Sequence, residues 1–77
     1  MKQVHYRKTK GEAFHRIVKV GERVYSLTQV SLLEPEGGYI TQTIELESRI
    51  ERLLAASEKV KRAEFIEKMK EVFNYLK

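Results

Sequence analysis

Side chains that could support catalysis or bind a metal are few in this sequence of 77 residues. Its two histidines, His5 and His15, lack the His-x-x-x-His spacing with which one helix presents two zinc ligands. Glu45 and Glu47 alternate along a predicted strand, but carboxylates at the end of a strand are usually solvated. We therefore predict that the protein uses no metal and no cofactor.

The sequence lacks the motifs of enzymes that use nucleophilic or phosphate-transfer chemistry. The chain has no Cys, which removes thiol nucleophiles, thiolate zinc ligands and disulfides, and it has no Gly-x-Ser-x-Gly sequence. The pair Gly37-Gly38 is followed by a strand-like run, whereas a phosphate-binding loop continues into a Lys and a helix. The sequence therefore predicts that the protein is not an enzyme.

Basic residues are concentrated near the N-terminus. Residues 1–23 hold seven Lys and Arg against two Glu, although the net charge of the whole chain is only +4. Aromatic rings and imidazoles are interleaved with these cations. Cations neutralise phosphates and rings stack on bases, so this composition is typical of a nucleic-acid-binding surface. The residues predicted to bind nucleic acid are Tyr6, Arg7, Lys8, Lys10, His15, Lys19 and Arg23.

Single-stranded nucleic acid is the predicted ligand. A duplex reader needs an element that enters the major groove, and the apolar stripes of the only predicted helix are required for packing. A basic, partly aromatic sheet suits flexible strands, whose bases are free to stack. We predict sequence-tolerant binding, most of all of single-stranded DNA, with RNA left open. The other interpretation of the same residues is a solvated charged surface.

The elements that position these residues change once from strands to helix, near Ser48. Alternation of apolar and polar residues predicts a short strand around Val4 and Tyr6 and further strands over 13–20, 23–33 and 39–46. The expected fold class is α+β, a four-stranded antiparallel β-meander followed by one long C-terminal amphipathic helix. We expect a single domain, with the sheet in residues 1–46 and the helix in 48–76.

Gly21-Glu22 favours a two-residue type II′ turn between the second and third strands. This turn would pair Val18 with Tyr25 and Phe14 with Gln29. The face of the sheet that is then predicted to be buried carries Phe14, Arg16, Val18, Tyr25 and Leu27. The opposite face carries His15, Ile17 and Lys19 and is predicted to be open.

Ser48 and Glu51 have the Ser-x-x-Glu spacing of a capping box, so the helix is predicted to run from Ser48 to Leu76. Its apolar residues form two stripes that are rotated from each other by about a third of a turn. The first stripe contains Ile50, Leu53, Leu54 and Val60 and is predicted to cover the sheet. The alternative is a break near Ala55-Ala56-Ser57-Glu58, with Ser57 capping a second helix that folds back.

The second stripe is predicted to pack against another subunit. The residues of this predicted oligomer interface are Phe65, Ile66, Met69, Val72, Phe73 and Leu76. A chain of this length has a small core and often depends on association for stability, so we expect a homo-oligomer, either a dimer or a tetramer. The alternative function is a protein-interaction or assembly module, or a small subunit, that docks on a different protein through this helix.

Composition indicates the cellular setting. No apolar run approaches the roughly 20 residues that cross a bilayer, so no membrane partner is expected. The absence of Cys fits a cytoplasmic location. Charged residues make up 34% of the chain and include many Glu, Lys and Arg, a balance that is common in thermophile proteins.

The order of features resembles a known group of proteins. Strands through Leu46 are followed by an amphipathic helix that ends in Phe73-Asn74-Tyr75-Leu76-Lys77. This order resembles the small single-stranded-DNA-binding proteins of the ThermoDBP group from hyperthermophiles and, in topology, the Whirly and general transcriptional coactivator class. The resemblance implies a four-stranded sheet backed by helix, oligomers built with the helix, and a single strand bound on basic and apolar surface. It covers nearly the whole chain as architecture and assigns no individual residue.

Overall fold

The computed structural model describes residues 3–9, 13–33 and 37–76, without the side chains of Leu33 and Leu76. Its elements are β1 (Val4–Thr9), β2 (Ala13–Lys19), β3 (Val24–Leu33), β4 (Gly37–Leu46), α1 (Glu47–Ala55), β5 (Glu58–Lys59) and α2 (Arg62–Leu76). The described strands form one antiparallel sheet in the order β4-β3-β2-β1-β5. The α+β class is confirmed, but the prediction of four strands and one long helix is wrong in detail, because the helix is divided and β5 lies between its parts.

The turn between β2 and β3 is longer than the sequence predicts. The amides of Val20 and Gly21 both donate to the carbonyl of Val24, which leaves three residues in the turn where two were expected. The register therefore shifts by one residue, and Phe14 pairs with Val30 in place of Gln29. Because successive side chains point to opposite faces, this shift moves every β3 side chain to the other face relative to β2.

Each face of the sheet is covered by one helix. The face that we call the α1 face has a core of Ile17, Tyr25, Leu27 and Ile50, with Leu53 and Leu54 packed against it. The opposite face, the α2 face, has a core of Phe14, Val30, Phe65 and Val72. The expectation that one face is wholly open is therefore wrong. Three layers result, with the sheet in the middle.

Helix α1 follows β4 without a loop. It begins at Glu47, one residue before the predicted start, and no side chain caps its N-terminus. The predicted capping box at Ser48 is not formed, because β4 runs straight into the helix and the Glu47 amide donates to the Arg23 carbonyl at 3.0 Å. Ile50, Leu53 and Leu54 of the first apolar stripe cover the sheet as predicted, and Ile50 is only 2% exposed.

The chain breaks between the helices and crosses the edge of the sheet. The predicted continuous helix is thus wrong, and the alternative of a break near Ser57 is closer to the structure. Ser57 does not cap the second helix, since its hydroxyl donates to the carbonyl of Leu53 at 2.6 Å, at the end of α1. Residues Glu58 and Lys59 then pair with β1, and the Val60 amide donates to the Tyr6 carbonyl at 2.9 Å.

Helix α2 packs on its own sheet. Phe65 and Val72 have no exposed surface, so their predicted place in an oligomer interface is wrong. Ile66 and Met69 are half-buried against the same core, and Val60 joins it rather than the α1 cluster. Phe73 is exposed, and the side chain of Leu76 lies outside the described part of the chain. The crossover explains the difference, because it brings the second stripe to the other face of the same sheet.

Close approach of α2 requires Gly38 on β4. A Cβ atom at this position would lie 3.0 Å from the Ser31 carbonyl oxygen and 3.1 Å from Cγ1 of Val72. Glycine lets the helix reach the sheet at this corner. Neither helix in the described ranges is long and apolar enough to cross a membrane.

Candidate nucleic-acid interface

The structure divides the residues that the sequence predicts to bind nucleic acid. Tyr6 and Lys8 lie on the α2 face, because they share register rows with Arg16 and Phe14. The α1 face carries Arg7, His15 and Lys19. Arg23 is exposed in the turn before β3, and Lys10 lies outside the described residues. These residues do not form one continuous surface.

Arg7 is bound within the fold. Its guanidinium donates to the hydroxyl of Ser57 at 3.0 Å, to the carbonyl of Leu54 at 2.8 Å and to the carbonyl of Ser57. The last carbonyls of a helix lack partners within the helix, and a cation stabilises them. Arg7 therefore closes the C-terminal end of α1 and fixes the start of the crossover, and its Nε and one of its two terminal nitrogens already donate inside the chain.

His15 is buried on the α1 face and is only 4% exposed. Its Nε2 atom lies 3.1 Å from Oγ1 of Thr9, and its Nδ1 atom has no hydrogen-bond partner among the described residues. Desolvation by burial lowers the pKa of His15 below its usual value of 6.5. The imidazole is therefore neutral at pH 7 and inaccessible to a nucleic acid, and we leave it out of the interface.

The burial of His15 predicts how stability depends on pH. The folded-state pKa is lowered, so the contribution of His15 to stability is complete above its unfolded-state pKa and is lost as pH falls through the folded-state pKa. The free energy of unfolding, measured with urea, should therefore decrease between pH 7.5 and pH 5. We expect this decrease to be smaller in His15→Gln. An equal decrease in the variant would contradict the account.

Cations on the α2 face lie over aromatic rings. The ammonium groups of Lys8 and Lys68 are 5.8 and 5.6 Å from the centre of the Phe14 ring. The guanidinium of Arg16 is 5.7 Å from the Phe65 ring, and its Nε atom is buried with no hydrogen-bond partner in the described structure. Cation–π attraction therefore holds these side chains against the core. Lys8 has a structural contact of this kind in addition to any contact with a ligand.

A basic groove follows the edge where β5 pairs with β1. Two open depressions meet at Tyr6, and we call them together the β1–β5 groove. Its lining residues are Val4, His5, Tyr6, Arg7, Lys59, Val60, Lys61, Arg62 and Glu64. The cations Lys59, Lys61 and Arg62 are all exposed. Among the residues that the structure describes, no carboxylate lies within ion-pair distance of these three.

Tyr6 forms the aromatic wall of the groove. Its side chain is half-buried, and its ring packs on Phe65 with centroids 5.5 Å apart and planes inclined by 53°. Packing on Phe65 fixes the ring in place and leaves part of it accessible. A fixed, partly exposed ring beside cations is a suitable surface for stacking a base.

Sequence reasoning found Tyr6 but missed Lys59, Lys61 and Arg62. These residues fall in the stretch that was predicted to continue the helix, where a Lys or Arg reads as a solvated helix position. One signal was present, since Lys59 and Lys61 flank Val60 in the alternation of an extended segment. Their proximity to Tyr6 depends on the pairing of β5 with β1, which only the structure shows.

In ranges 3–9, 13–33 and 37–76, no three His, Asp or Glu side chains come together as a group that could hold a metal ion. No family model matches the chain, and no curated protein and no solved structure is significantly similar to it. The resemblance to the ThermoDBP group therefore stays a prediction.

Proposed function

We propose that the protein binds single-stranded nucleic acid along the β1–β5 groove. Lys59, Lys61 and Arg62 contact phosphates, and the ring of Tyr6 stacks on a base. The observation that supports this proposal is the position of three exposed cations, without ion-pair partners among the described residues, beside a fixed and partly accessible tyrosine ring. Phosphate contacts provide affinity without sequence information, and stacking accepts every base.

The architecture favours a single strand over a duplex. Both helices pack on the sheet through their buried apolar residues. A groove along a strand edge can follow one flexible backbone, whereas a duplex reader needs an element that projects into the major groove. Glu58 and Glu64 lie close to the cations in sequence and keep the local net charge low, so we expect moderate affinity that is sensitive to salt.

Removing the three cations should weaken binding. We expect the triple variant Lys59→Gln, Lys61→Gln, Arg62→Gln to bind labelled single-stranded DNA roughly 10- to 100-fold more weakly at about 50 mM salt, because three phosphate contacts are lost. Fluorescence anisotropy measures this change. All three residues are exposed, so the circular dichroism spectrum should not change.

A second triple variant controls for net charge. Arg23→Gln, Arg52→Gln, Lys70→Gln removes the same charge from exposed positions outside the groove. We expect it to bind within about threefold of the wild type, because distant surface charges are screened at this salt concentration. Equal weakening by the two triple variants would show that binding follows net charge alone, and the proposed groove would be wrong.

A further inference from the structure

Helix α2 covers only part of the α2 face. Phe65 contacts Tyr6 on β1, and Val72 lies against Gly38 on β4, so the helix crosses the sheet between these two contacts. Beyond the helix, two rows of paired residues run across the sheet on this face. The first row spans four strands and the second spans two. We call these rows the open half-face, which consists of Val4, Val18, Ser26 and Ile44 in the first row and Val24 and Leu46 in the second.

This surface is unusually apolar for one that faces solvent. Val4 is 41% exposed, Ile44 64% and Leu46 65%, and Val20 beside the second row is also exposed. Single exposed apolar residues are ordinary, but a contiguous group marks a surface that binds another molecule. The β-branched residues at these positions fit a pleated surface that is covered by a second layer.

Helix α2 extends the apolar surface at one border. Lys68 reaches the Phe14 ring, and the Tyr75 ring approaches Gly37, so these two residues mark one flank of the helix. At about 100° per residue, Phe73 lies on the opposite flank, the side of the helix toward the open half-face. Phe73 is 55% exposed, so it presents an apolar ring beyond the row that holds Arg16, Thr28 and Gln42, which separates the helix from the open half-face.

The absence of charged residues on the open half-face favours a second copy of the chain as its partner. The open half-face contains no Asp, Glu, Lys or Arg, although the chain carries a net charge of +4. Two copies that met through a basic surface would repel each other, whereas two copies of this half-face bring no like charges into contact. A C2 dimer places the same patch of both copies in contact, which an uncharged apolar patch permits.

The shape of the α2 face also fits a second copy. A helix on a sheet occupies a layer about 10 Å thick, and two packed sheets lie about 10 Å apart. Two half-faces can therefore pack against each other. The α2 helix of each copy then lies beside the contact, in the layer between the two sheets. Six positions at the usual spacings of rows and strands cover roughly 200 Å² of sheet per copy. The exposed side chains of Val20 and Phe73 add to this area, but the contact is still smaller than a standard specific interface.

We propose that the open half-face binds the same half-face of a second copy of this chain, giving a symmetric dimer through the sheet and the Phe73 flank. This surface differs from the interface that the sequence predicts, whose central residues are buried in the protomer. Its small size predicts a reversible dimer that forms at micromolar or higher chain concentration. The proposal is independent of nucleic-acid binding.

Sedimentation equilibrium of the purified chain without nucleic acid tests the dimer. We expect the wild type to shift from the mass of one chain to that of two as concentration rises from about 1 to 500 μM. Ile44→Lys should remain a monomer throughout, because it places a charge from each copy in the contact. Thr43→Lys introduces the same charge at the neighbouring exposed position on the opposite face and should dimerise like the wild type.

Each other outcome overturns the proposal. A wild type that stays monomeric throughout would leave the half-face to a different protein or to the ligand. A dimer that survives Ile44→Lys, or that Thr43→Lys also abolishes, would place the contact elsewhere. Ile44 is mostly exposed in the protomer, so thermal unfolding of Ile44→Lys at 1 μM should match that of Thr43→Lys. A much lower melting temperature in Ile44→Lys alone would also contradict the proposal, because Ile44 would then be part of the protomer core.

Discussion

Phe65→Ala is expected to lower the free energy of unfolding by about 3 to 5 kcal/mol, the usual cost of removing a fully buried phenylalanine ring. Phe65 has no exposed surface and belongs to the core of the α2 face with Phe14 and Val72. Its ring also supports Tyr6 and the guanidinium of Arg16. The variant therefore loses apolar burial, a ring contact and a cation–π contact together.

Urea unfolding followed by circular dichroism measures this loss, and Phe73→Ala is the matched control in the same helix. Phe73 is 55% exposed, so its replacement should change stability by no more than about 1 kcal/mol at 1 μM chain. The effect of Phe65→Ala should not depend on protein concentration, because the contact is within one chain. A loss that appears only at high concentration would instead place Phe65 between subunits.

Arg7→Ala should cost about 3 kcal/mol of stability. The guanidinium donates to the Leu54 carbonyl and to both the hydroxyl and the carbonyl of Ser57. Hydrogen bonds from a charged donor contribute about 1.5 to 3 kcal/mol each, and part of this is recovered when water reaches the freed carbonyls. Arg7→Lys keeps the charge but cannot reproduce the planar set of donors, so it should lose about 2 kcal/mol.

The loss of stability in Arg7→Ala should be largest at the crossover between α1 and β5. Without Arg7, the end of α1 and the start of β5 are held less firmly, so the Val60 amide, which donates to the Tyr6 carbonyl, should exchange its hydrogen faster. Arg23→Ala is the control, since Arg23 is exposed in a turn and should change stability by less than about 0.5 kcal/mol. Arg7 and Arg23 variants of equal stability would show that Arg7 does not anchor the crossover.

Local patterns in the sequence predicted the elements well. Alternation in residues 39–46 and the apolar stripe at Ile50, Leu53 and Leu54 predicted β4 and the packing of α1. These signals work because the spacing of apolar residues differs between strands and helices and indicates which side chains are buried. The turn after Val20 was harder, because one additional turn residue reverses the faces of a whole strand without changing the strand pattern.

The division of the helix could not be predicted from local propensity. Residues 55–61 contain Ala, Glu and Lys, which favour helix, and no Gly or Pro marks an end. The break is stabilised by contacts that are distant in sequence, which are the bonds from Arg7 to Leu54 and Ser57 and the pairing of Lys59 with Arg7. Tertiary burial of both apolar stripes on one sheet outweighs the local preference.

The candidate site was half predicted for the same reason. Tyr6 could be identified as a ring among cations, but His15 and Arg7 could not be recognised as buried or bound without the register. The cations Lys59, Lys61 and Arg62 became relevant only when β5 brought them beside β1. The basic segment of the sequence therefore predicted a class of ligand, but it did not identify which cations lie together in the fold.

The most direct test of nucleic-acid binding at the β1–β5 groove is fluorescence anisotropy of labelled single-stranded DNA, single-stranded RNA and duplex DNA at several salt concentrations. Three phosphate contacts on a single strand predict that log K falls with log salt concentration with a slope of about −2. We expect single strands of either kind to bind more tightly than the duplex. Absence of binding at low salt, or affinity that does not change with salt, would contradict the account.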